Sequence, residues 1–459
     1  MNLDRRRLLQ LGGLFALTGC TASELSPTTG TGTPQPSSSG SRSTSAPSAT
    51  PTAPGIQPRD VPAPAFQLAK APTGGIDGKD LERTLAALPT YRGGTQRRIV
   101  VKAGTYTVKR PIRIPSGVHL VAGGSKFVSA IPGAQEPLVA IDNARDITIE
   151  GGTWDGNSRK VKVVTEWKHV IRVQNSSRIT LKNLVTQNAR GDGIYLGTHD
   201  VPCRDVTLES VKSQKNHRNG MSVTSCIGLT CSDSIFSANG STSPMAGVDI
   251  EPNDPGAPIR DFTFRRCAFS DNTARGFLVV MDPDSPELPG SIRLQECTIE
   301  RNGTEADSRP LWAGVTLLRP RGVKITKSLI RGNNIGISVQ GRRGRDGKDQ
   351  LNRGTLVLDG LDVTGSSREG LLVLQGIRKL DVSDSRFFTN SQEEDGYFSG
   401  ILLANGSNMA FTDCVSTGAR MFGLQAAPKV RKVVLTRCDL SGNDRGEMDA
   451  PKAGVKVVN

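Results

Sequence analysis

Apolar and polar residues alternate along most of the chain in short runs that begin at a glycine. Gly193, Gly220 and Gly247 open three such runs and are 27 residues apart. Runs at more variable spacing start at Gly276, Gly314, Gly336, Gly370, Gly400, Gly423 and Gly454. Alternation with period two is typical of a β-strand with one buried face. The pattern therefore predicts a repeating coil of short strands, interrupted in places by inserted loops.

A second short strand lies between consecutive glycine runs, for example at Val206-Thr-Leu and Phe262-Thr-Phe. Such a repeat cannot cover its own apolar face, so each coil needs a neighbour above and below it. Parallel strands joined by crossovers are almost always right-handed. We therefore predict an all-β, single-domain right-handed parallel β-helix over residues 75–459, capped by a short N-terminal helix over residues 81–88.

The first twenty residues have the features of an export signal. Arg5, Arg6 and Arg7 precede an apolar run from Leu8 to Leu17 that is too short to span a bilayer. Leu17-Thr-Gly-Cys20 then has the form of a lipobox. We expect residues 1–19 to be a signal peptide and Cys20 to be lipidated. The protein would then be anchored to the outer face of the membrane in the cell envelope, after Sec or twin-arginine export.

Residues 20–65 are mostly Thr, Ser, Pro, Gly and Ala, a composition that predicts a disordered spacer. The chain has a formal net charge of +14, which suits an acidic glycan or an anionic surface. It carries no nucleic-acid-binding motif. We expect a monomer whose partner is a polysaccharide, and no nucleic-acid partner.

Three segments near the start of the body resemble the opening coils of the pectate-lyase-like and polygalacturonase-like β-helix superfamily. They are Val101-Lys-Ala-Gly-Thr-Tyr106, Ile114-Pro-Ser-Gly-Val-His-Leu120 and Gly151-Gly-Thr-Trp-Asp-Gly-Asn157. The resemblance implies a carbohydrate-related protein, within a superfamily that contains hydrolases, lyases, epimerases and adhesins. The adjacent aspartate pair and the Gly-His-Gly turn of the polygalacturonases are missing, which argues against pectin hydrolysis.

Aligning the glycine runs assigns each residue to one face of the coil. The inward columns contain Ile194, Met221 and Val248, and then Leu196, Val223 and Ile250. The outward columns, expected to be exposed, contain Tyr195, Ser222 and Asp249, and then Gly197, Thr224 and Glu251. Asp249 and Glu251 are two residues apart on one strand, so their Cα atoms lie about 7 Å apart. That spacing suits the two carboxylates of an inverting glycosidase, and Asp192 could join them.

The neighbouring side chains give this groove further chemistry. We expect His217 to carry a proton and Arg218 to bind a carboxylate, while Tyr195, Trp154 and Trp167 stack on sugar rings. The preferred function is a surface-anchored polysaccharide hydrolase. The alternatives are a uronate lyase or epimerase that uses His217, Arg218 and Tyr195, and a non-catalytic glycan-binding module.

A solvated strand surface or a calcium site would also explain the carboxylates. Asp282, Asp284 and Glu287 offer a second set of oxygen ligands. No cofactor other than calcium is expected.

Two cysteines, Cys203 and Cys226, each lie three residues before a strand, on adjacent coils. Their expected separation of about 4.8 Å falls within the Cα range of a disulfide, so we predict that they pair. Four other cysteines occupy an inward position and are expected to be reduced and buried: Cys267, Cys297, Cys414 and Cys438.

Overall fold

The computed structural model describes ten stretches of the chain: residues 56–158, 165–197, 201–253, 257–281, 292–304, 311–340, 352–374, 377–393, 396–450 and 454–458. The expected signal peptide, Cys20 and most of the spacer lie outside these stretches. So do Asp282, Asp284 and Glu287. Within them, no helix is long and apolar enough to cross a membrane.

A short helical segment covers the first coil. A 3-10 helix, Gly78–Asp80, leads into helix α1, Leu81–Ala86. The Asp77 carboxylate caps the segment by accepting a hydrogen bond from the Lys79 N–H at 2.9 Å. Leu81 and Leu85 are buried against the core. The predicted N-terminal capping helix is confirmed.

The described strands follow in chain order. The first ten are β1 Arg97–Val100, β2 Gly104–Val108, β3 Ile112–Arg113, β4 Val118–Val121, β5 Ser125–Ser129, β6 Val139–Asp142, β7 Arg145–Glu150, β8 Thr153–Asp155, β9 Ile171–Gln174 and β10 Ser177–Gln187. The central ones are β11 Ile194–Leu196, β12 Cys203–Gln214, β13 Met221–Val223, β14 Cys226–Ser232, β15 Ile235–Ser237, β16 Ala246–Ile250, β17 Ile259–Arg265, β18 Ala268–Ser270, β19 Arg275–Val280, β20 Ile292–Gln295, β21 Thr298–Glu300, β22 Ala313–Leu318, β23 Val323–Thr326 and β24 Leu329–Arg331. The last ones are β25 Ile335–Gln340, β26 Asn352–Asp359, β27 Asp362–Thr364, β28 Leu371–Val373, β29 Ile377–Ser383, β30 Arg386–Phe388, β31 Ile401–Leu403, β32 Ser407–Thr412, β33 Val415–Thr417, β34 Phe422–Ala426, β35 Arg431–Thr436, β36 Gly446–Asp449 and β37 Val455–Val458.

Each coil contributes one strand to a 13-stranded sheet, ordered β3-β6-β9-β11-β13-β16-β19-β22-β25-β28-β31-β34-β36. The remaining strands form the other side of the solenoid, and the pairings within the described residues are parallel. Ile194 pairs with Met221, which pairs with Val248, as the glycine alignment predicts. These three side chains are fully buried. The chain is therefore a single-domain parallel β-helix with a continuous interior, as predicted.

The recurring glycine faces the interior at or near the start of strands β11 to β34 of the 13-stranded sheet. The predicted run at Gly454 is the exception, because its strand, β37, lies on the other side of the solenoid. A Cβ atom on Gly220 would lie 2.5 Å from the Gly247 carbonyl oxygen and 2.9 Å from Asn239 Nδ2. That space belongs to a ladder of buried asparagines, each donating from Nδ2 to Oδ1 of the next: Asn216, Asn239, Asn272, Asn302 and Asn333. Only glycine leaves room for the ladder, which is why the sequence repeats it.

Residues 56–72, here called the strap, lie along the outside of the solenoid without regular secondary structure. Arg59 Nη2 donates to Asp384 Oδ1 at 2.9 Å. Further along the strap, the Ala69 N–H donates to the Asn183 carbonyl at 3.1 Å. The strap therefore runs from late coils back to early ones. This corrects the expected spacer, because residues 56–65 already contact the folded body.

The strap follows one corner of the solenoid on the non-glycine side. At this corner either one long strand bends, as in β10 and β12, or two strands meet across two residues, as between β14 and β15. Left-handed residues form this corner, with φ between 44° and 64° at Asn183, Ser210, Asp233, Gly360 and Asp384. Ser210 Oγ accepts from the Gln67 N–H at 2.6 Å, and Asp233 Oδ1 accepts from the Ala65 N–H at 3.3 Å. The corner thus supplies the partners for the strap backbone.

Candidate functional site

The candidate site lies on the outer face of the 13-stranded sheet, at strands β11, β13 and β16. Asp249 lies on β16, Glu251 directly follows it, and Asp192 lies two residues before β11. Tyr195 pairs with Ser222, and Ser222 pairs with Asp249 on the next coil. The predicted register is correct, but the predicted exposure is wrong. Asp249 is only 2% exposed and Tyr195 only 6%.

Residues from the turns before these strands cover the column. Asn219 Nδ2 donates to Ser222 Oγ at 3.0 Å and to Asp249 Oδ2 at 3.2 Å. The His169 ring stacks on the Tyr195 ring, with centroids 4.5 Å apart. Alternation along a strand identifies the outward positions but does not show whether a preceding turn folds back over them.

A buried ion pair anchors the site. Arg218 Nη1 donates to Asp192 Oδ2 at 3.0 Å, and the Asn219 N–H donates to Asp192 Oδ1 at 3.1 Å. Burial raises the pKa of Asp192, but the charge of Arg218 and the neighbouring His169 side chain outweigh it, so that this pKa lies below its usual value. Asp192 is therefore an ionised structural partner of Arg218.

Asp249 has the opposite electrostatics. Burial raises its pKa well above the usual value, and the negative charge of Glu251 raises it further against the effect of Arg218. Asp249 Oδ1 has no hydrogen-bond partner among the described residues. Glu251 is half-buried on the same strand edge. The pair thus combines a buried carboxyl group whose pKa is raised with a more accessible acidic side chain.

Tyr195 is held at both ends of its side chain. Its hydroxyl lies 3.0 Å from Thr224 Oγ1, and burial raises its pKa. Gly197 makes this contact feasible, because a Cβ atom there would lie 2.2 Å from Thr224 Oγ1. The ring is consequently fixed against His169. The prediction that it lies open on the surface and stacks on sugar rings is wrong.

His217 and Arg218 behave differently although they are adjacent. Arg218 reaches into the site, where burial lowers its pKa but the charge of Asp192 and of the further acidic side chains Glu166 and Glu251 outweighs burial and raises it. The His217 carbonyl accepts from the Ser241 and Thr242 N–H groups at 2.7 and 2.9 Å. Its ring Nδ1 is buried with no partner among the described residues. The proton-carrier role of His217 stays a prediction.

The two tryptophans have different environments. Trp154 is fully buried and stacks on Phe127 with centroids 4.3 Å apart, while its Nε1 donates to the Gly151 carbonyl at 3.2 Å. Its predicted role in sugar binding is therefore wrong, because the turn at Gly151 directs the strand so that the indole enters the core. Trp167 is 49% exposed, two residues before His169. It remains a candidate sugar-stacking side chain.

Cys203 and Cys226 are in register on adjacent coils, as predicted. Both are free thiols in this structure, and Cys203 Sγ donates to the Val173 carbonyl at 3.3 Å. Burial raises the pKa of Cys203 to about 11 and that of Cys226 well above its usual value. The predicted disulfide is thus not formed here, and protonated thiols are slow to form one.

No group of three or more His, Cys, Asp or Glu side chains within the described part of the chain is placed to hold a metal ion. The calcium alternative therefore gains no support from Asp192, Asp249 and Glu251. The second candidate set, Asp282, Asp284 and Glu287, lies outside the described residues.

Sequence reasoning missed His169, Asn219 and Lys168. His169 and Asn219 occupy the position of Asp192 on the coils before and after it. The His169 coil has Val170 where the later coils have glycine, so an alignment based on glycine began one coil too late. Lys168 Nζ donates to the carbonyls of Ile131 and Gly133, both at 2.6 Å, which fixes the segment leading into His169.

Comparison with known proteins agrees with this architecture. The sequence profile of the family described as right handed beta helix region matches residues 169–308. The A-modules of mannuronan C-5 epimerases AlgE4 and AlgE6 from Azotobacter vinelandii superpose with TM-scores of 0.56 and 0.52 at 13% and 12% identity. Each superposition covers 84% of this chain, with 98% of the first module and 97% of the second. The fold is a right-handed parallel β-helix.

A sequence relative is the SPβ prophage-derived uncharacterized protein YorA of Bacillus subtilis (strain 168), 24% identical over 161 residues. The match covers 30% of this chain and 28% of that protein. The chain therefore spans less than a third of this relative's length. The N-terminal fragment of bacteriophage Phi29 gene product 12 superposes with a TM-score of 0.51 at 15% identity, covering 74% of this chain and 61% of the fragment. At these identities the solved structures establish the fold alone.

Proposed function

We propose that the protein hydrolyses a polysaccharide with Asp249 as general acid and Glu251 as general base. The observation that carries the proposal is the unequal pair of carboxyl groups, since burial raises the pKa of Asp249 beside the more accessible Glu251. Their Cα atoms are about 7 Å apart on one face, a backbone spacing compatible with the wide carboxyl separation that inverting hydrolysis requires. A carbohydrate substrate also agrees with the polysaccharide-modifying epimerases among the structural neighbours.

The electrostatics favour hydrolysis over elimination or epimerisation. A uronate lyase or epimerase must neutralise the sugar carboxylate. Arg218, the cation at the centre of the site, is already paired with Asp192 at 3.0 Å. Acidic side chains surround it. Because the acidic side chains around Arg218 outnumber this one cation, a neutral sugar fits the reacting position better than a uronate. This local charge matters more for the reacting sugar than the positive net charge of the whole chain.

The test is to incubate the full chain with a panel of neutral and acidic polysaccharides and to measure new reducing ends. Once a substrate is found, Asp249→Asn and Glu251→Gln should each lower turnover by about a hundredfold to ten-thousandfold, the usual contribution of general acid–base catalysis. Asp249→Asn should retain activity on an aryl glycoside with an activated leaving group, because such a group departs without protonation.

Asp381→Asn is a matched control, because Asp381 is a strand carboxylate on the other side of the solenoid, paired with Lys379 at 2.7 Å. It should leave turnover unchanged. Full activity of both site variants on the natural polysaccharide, with unchanged melting, would exclude the carboxylate pair as the catalytic groups.

One observation keeps a uronate lyase or epimerase as a second candidate. The Tyr195 ring stacks on His169, whose Nε2 is buried without a partner among the described residues, and a phenol beside an imidazole can exchange a proton. This function predicts unsaturated uronate products, or deuterium uptake at C5 from heavy water without new reducing ends. Binding without any of these products would identify a non-catalytic glycan-binding module.

The cellular location is part of the proposal. We propose that Cys20 carries a lipid, which holds the body at the outer face of the membrane. Growth with a labelled fatty acid should label the wild-type chain and not Cys20→Ala. Equal labelling of both would refute the anchor.

A further inference from the structure

Two thiols, those of Cys414 and Cys438, are in register on adjacent coils near the C-terminal end of the solenoid. The Asp439 N–H donates to the Cys414 carbonyl at 2.9 Å, and Val415 pairs with Asp439 in a parallel bridge. Cys438 Sγ lies 3.4 Å from the carbonyl oxygen of Phe411, on the coil that contains Cys414. Adjacent coils place such Cα atoms about 4.8 Å apart, within the usual range for a disulfide.

The two thiols differ in the way that a thiol–disulfide exchange requires. Cys414 is buried, whereas Cys438 is half-buried. The neighbouring Cys414 thiol lowers the pKa of Cys438 to about 7, and the Cys438 thiol together with burial raises the pKa of Cys414. Since the thiolate is the nucleophile, Cys438 suits the attacking role and Cys414 the resolving role.

An inner pair with the same stacking provides a comparison. The Thr298 N–H donates to the Cys267 carbonyl at 2.9 Å, so Cys297 stacks on Cys267 as Cys438 stacks on Cys414. Both inner thiols are fully buried, and burial raises their pKa values. Strand β20, which leads into Cys297, pairs with β17 on one side and β23 on the other.

The coil that contains Cys438 is less tightly covered than the interior coils in the part of the chain that the structure describes. A disulfide needs Cβ atoms about 3.5–4.5 Å apart, closer than the coil spacing of about 4.8 Å, so one coil must shift. Strand β35, which leads into Cys438, is backed by β37, where Val457 is 54% exposed. The terminal coil can therefore make a shift that the interior coils resist.

We propose that Cys414 and Cys438 are an oxidation site, at which a disulfide fastens the last coil to the solenoid. The Cys438 thiolate attacks one sulfur of a small disulfide of the glutathione class and displaces one glutathione thiolate. Cys414 then loses its proton, attacks the Cys438 sulfur and displaces the second glutathione thiolate. The two cysteines lose two electrons and two protons, and oxidised glutathione is reduced to two thiols. This differs from the sequence-based expectation that both cysteines stay reduced.

The test is non-reducing peptide mapping of the full chain after incubation with oxidised glutathione and alkylation in denaturant. We expect a peptide pair joined through Cys414 and Cys438 that reductant separates, while Cys267 and Cys297 are recovered alkylated. Cys414→Ser should instead retain glutathione on Cys438, because the resolving thiol is gone. Hydrogen exchange in β36 and β37 should slow on oxidation of the wild type and stay unchanged in Cys438→Ser.

Three results would overturn the proposal. Wild-type Cys438 could be recovered as an alkylated thiol, or it could keep glutathione while Cys414 is alkylated. The inner pair Cys267 and Cys297 could also cross-link to the same extent as the terminal pair, which would show that the freedom of the last coil is irrelevant.

Discussion

At the scale of single residues, the site contains two buried aspartates whose pKa values move in opposite directions. The pKa of Asp249 is raised by burial and by Glu251, and that of Asp192 is lowered because Arg218 and His169 outweigh burial. Their effects on stability must therefore depend on pH with opposite sign. This difference gives each of them a test that needs no substrate.

Above about pH 4, Asp249→Asn should be more stable than the wild type, and the difference in stability should grow as the pH rises. The raised pKa means that the wild type is most stable while Asp249 is protonated, below its unfolded-state pKa, and loses that stability as the pH rises toward the folded-state pKa. Each tenfold change in proton affinity corresponds to about 1.4 kcal/mol. Melting temperatures of both proteins between pH 4 and pH 8 check this. A variant less stable than the wild type by a constant amount would show that Asp249 is not protonated in the fold.

Asp192→Asn should destabilise the protein at neutral pH by about 3 kcal/mol or more, because it leaves the buried Arg218 without its counter-charge. The lowered pKa of Asp192 means that its contribution is present above the unfolded-state pKa and is lost as the pH falls through the folded-state pKa. The two proteins should therefore converge in stability in acid. Asp146→Asn is the control, since it breaks an exposed pair with Arg178. The free energy of unfolding in urea checks this. Equal losses of that free energy in Asp192→Asn and Asp146→Asn would contradict the prediction.

Individual residues also show where sequence reasoning stops. Alternation places Ile194, Met221 and Val248 correctly, because burial inside a coil follows directly from strand geometry. It fails for Asp249, because Asn219 reaches it from a turn three residues before Ser222. It also fails for Trp154, whose Nε1 bond to Gly151 depends on a local turn.

At the scale of elements, the coils are joined at their corners as well as through their strands. The asparagine ladder satisfies backbone groups where the chain turns. Asn272 Oδ1 accepts from both the backbone N–H and the Nδ2 of Asn239, at 3.1 and 2.9 Å. Asn272 Nδ2 donates to the Phe236 carbonyl at 3.1 Å. One side chain thereby completes the hydrogen bonding of two coils.

Asn272→Ala should destabilise the protein by about 2–4 kcal/mol, because it leaves buried donors and acceptors unpaired at about 1–3 kcal/mol each. Asn443→Ala should have a smaller effect. Asn443 makes similar bonds to Ala419 and Ser416 near the C-terminal end, where it is half-buried and water can replace them. Urea unfolding of both variants checks the order. Equal destabilisation would mean that the ladder has no special role in the interior.

The strands could be predicted from the sequence, but one class of corner could not. Left-handed turns are usually signalled by Gly, Asn or Asp. The corner under the strap also contains Arg266, Glu296 and Lys327, with φ of 49°, 55° and 48°. Stacking of neighbouring coils imposes this conformation on residues that do not favour it, and so no local sequence signal marks these positions.

At the scale of the whole molecule, the strap joins coils that are far apart in sequence. Arg59 and Asp384 are separated by 325 positions. The composition of the spacer gave no sign of this contact, because the hydrogen bonds use strap backbone groups and a single arginine. The sequence therefore predicts the spacer and the β-helix as separate segments, but it does not predict the contact between residues 56–72 and the β-helix.

Asp384→Asn should loosen the strap, because it removes the charge that holds Arg59. Hydrogen exchange of the amides at Ala65, Gln67 and Ala69 should become faster, with little change in the exchange of the core strands. Asp413→Asn is the matched control, because Asp413 has the same left-handed conformation on the next coil but pairs with Arg437. Equal acceleration in both variants would show that Arg59 does not hold the strap.

The direction of the strap determines how the protein would respond to tension on its N-terminal side. Because residues 56–72 run from Asp384 back toward Asn183, a pull applied ahead of residue 56 would load Arg59 first and the contacts at Asp233, Ser210 and Asn183 in turn. Contacts that are loaded one after another peel at low force, and each one that opens lengthens the free chain. Helix α1 and the first coil would bear load only after the strap had come away.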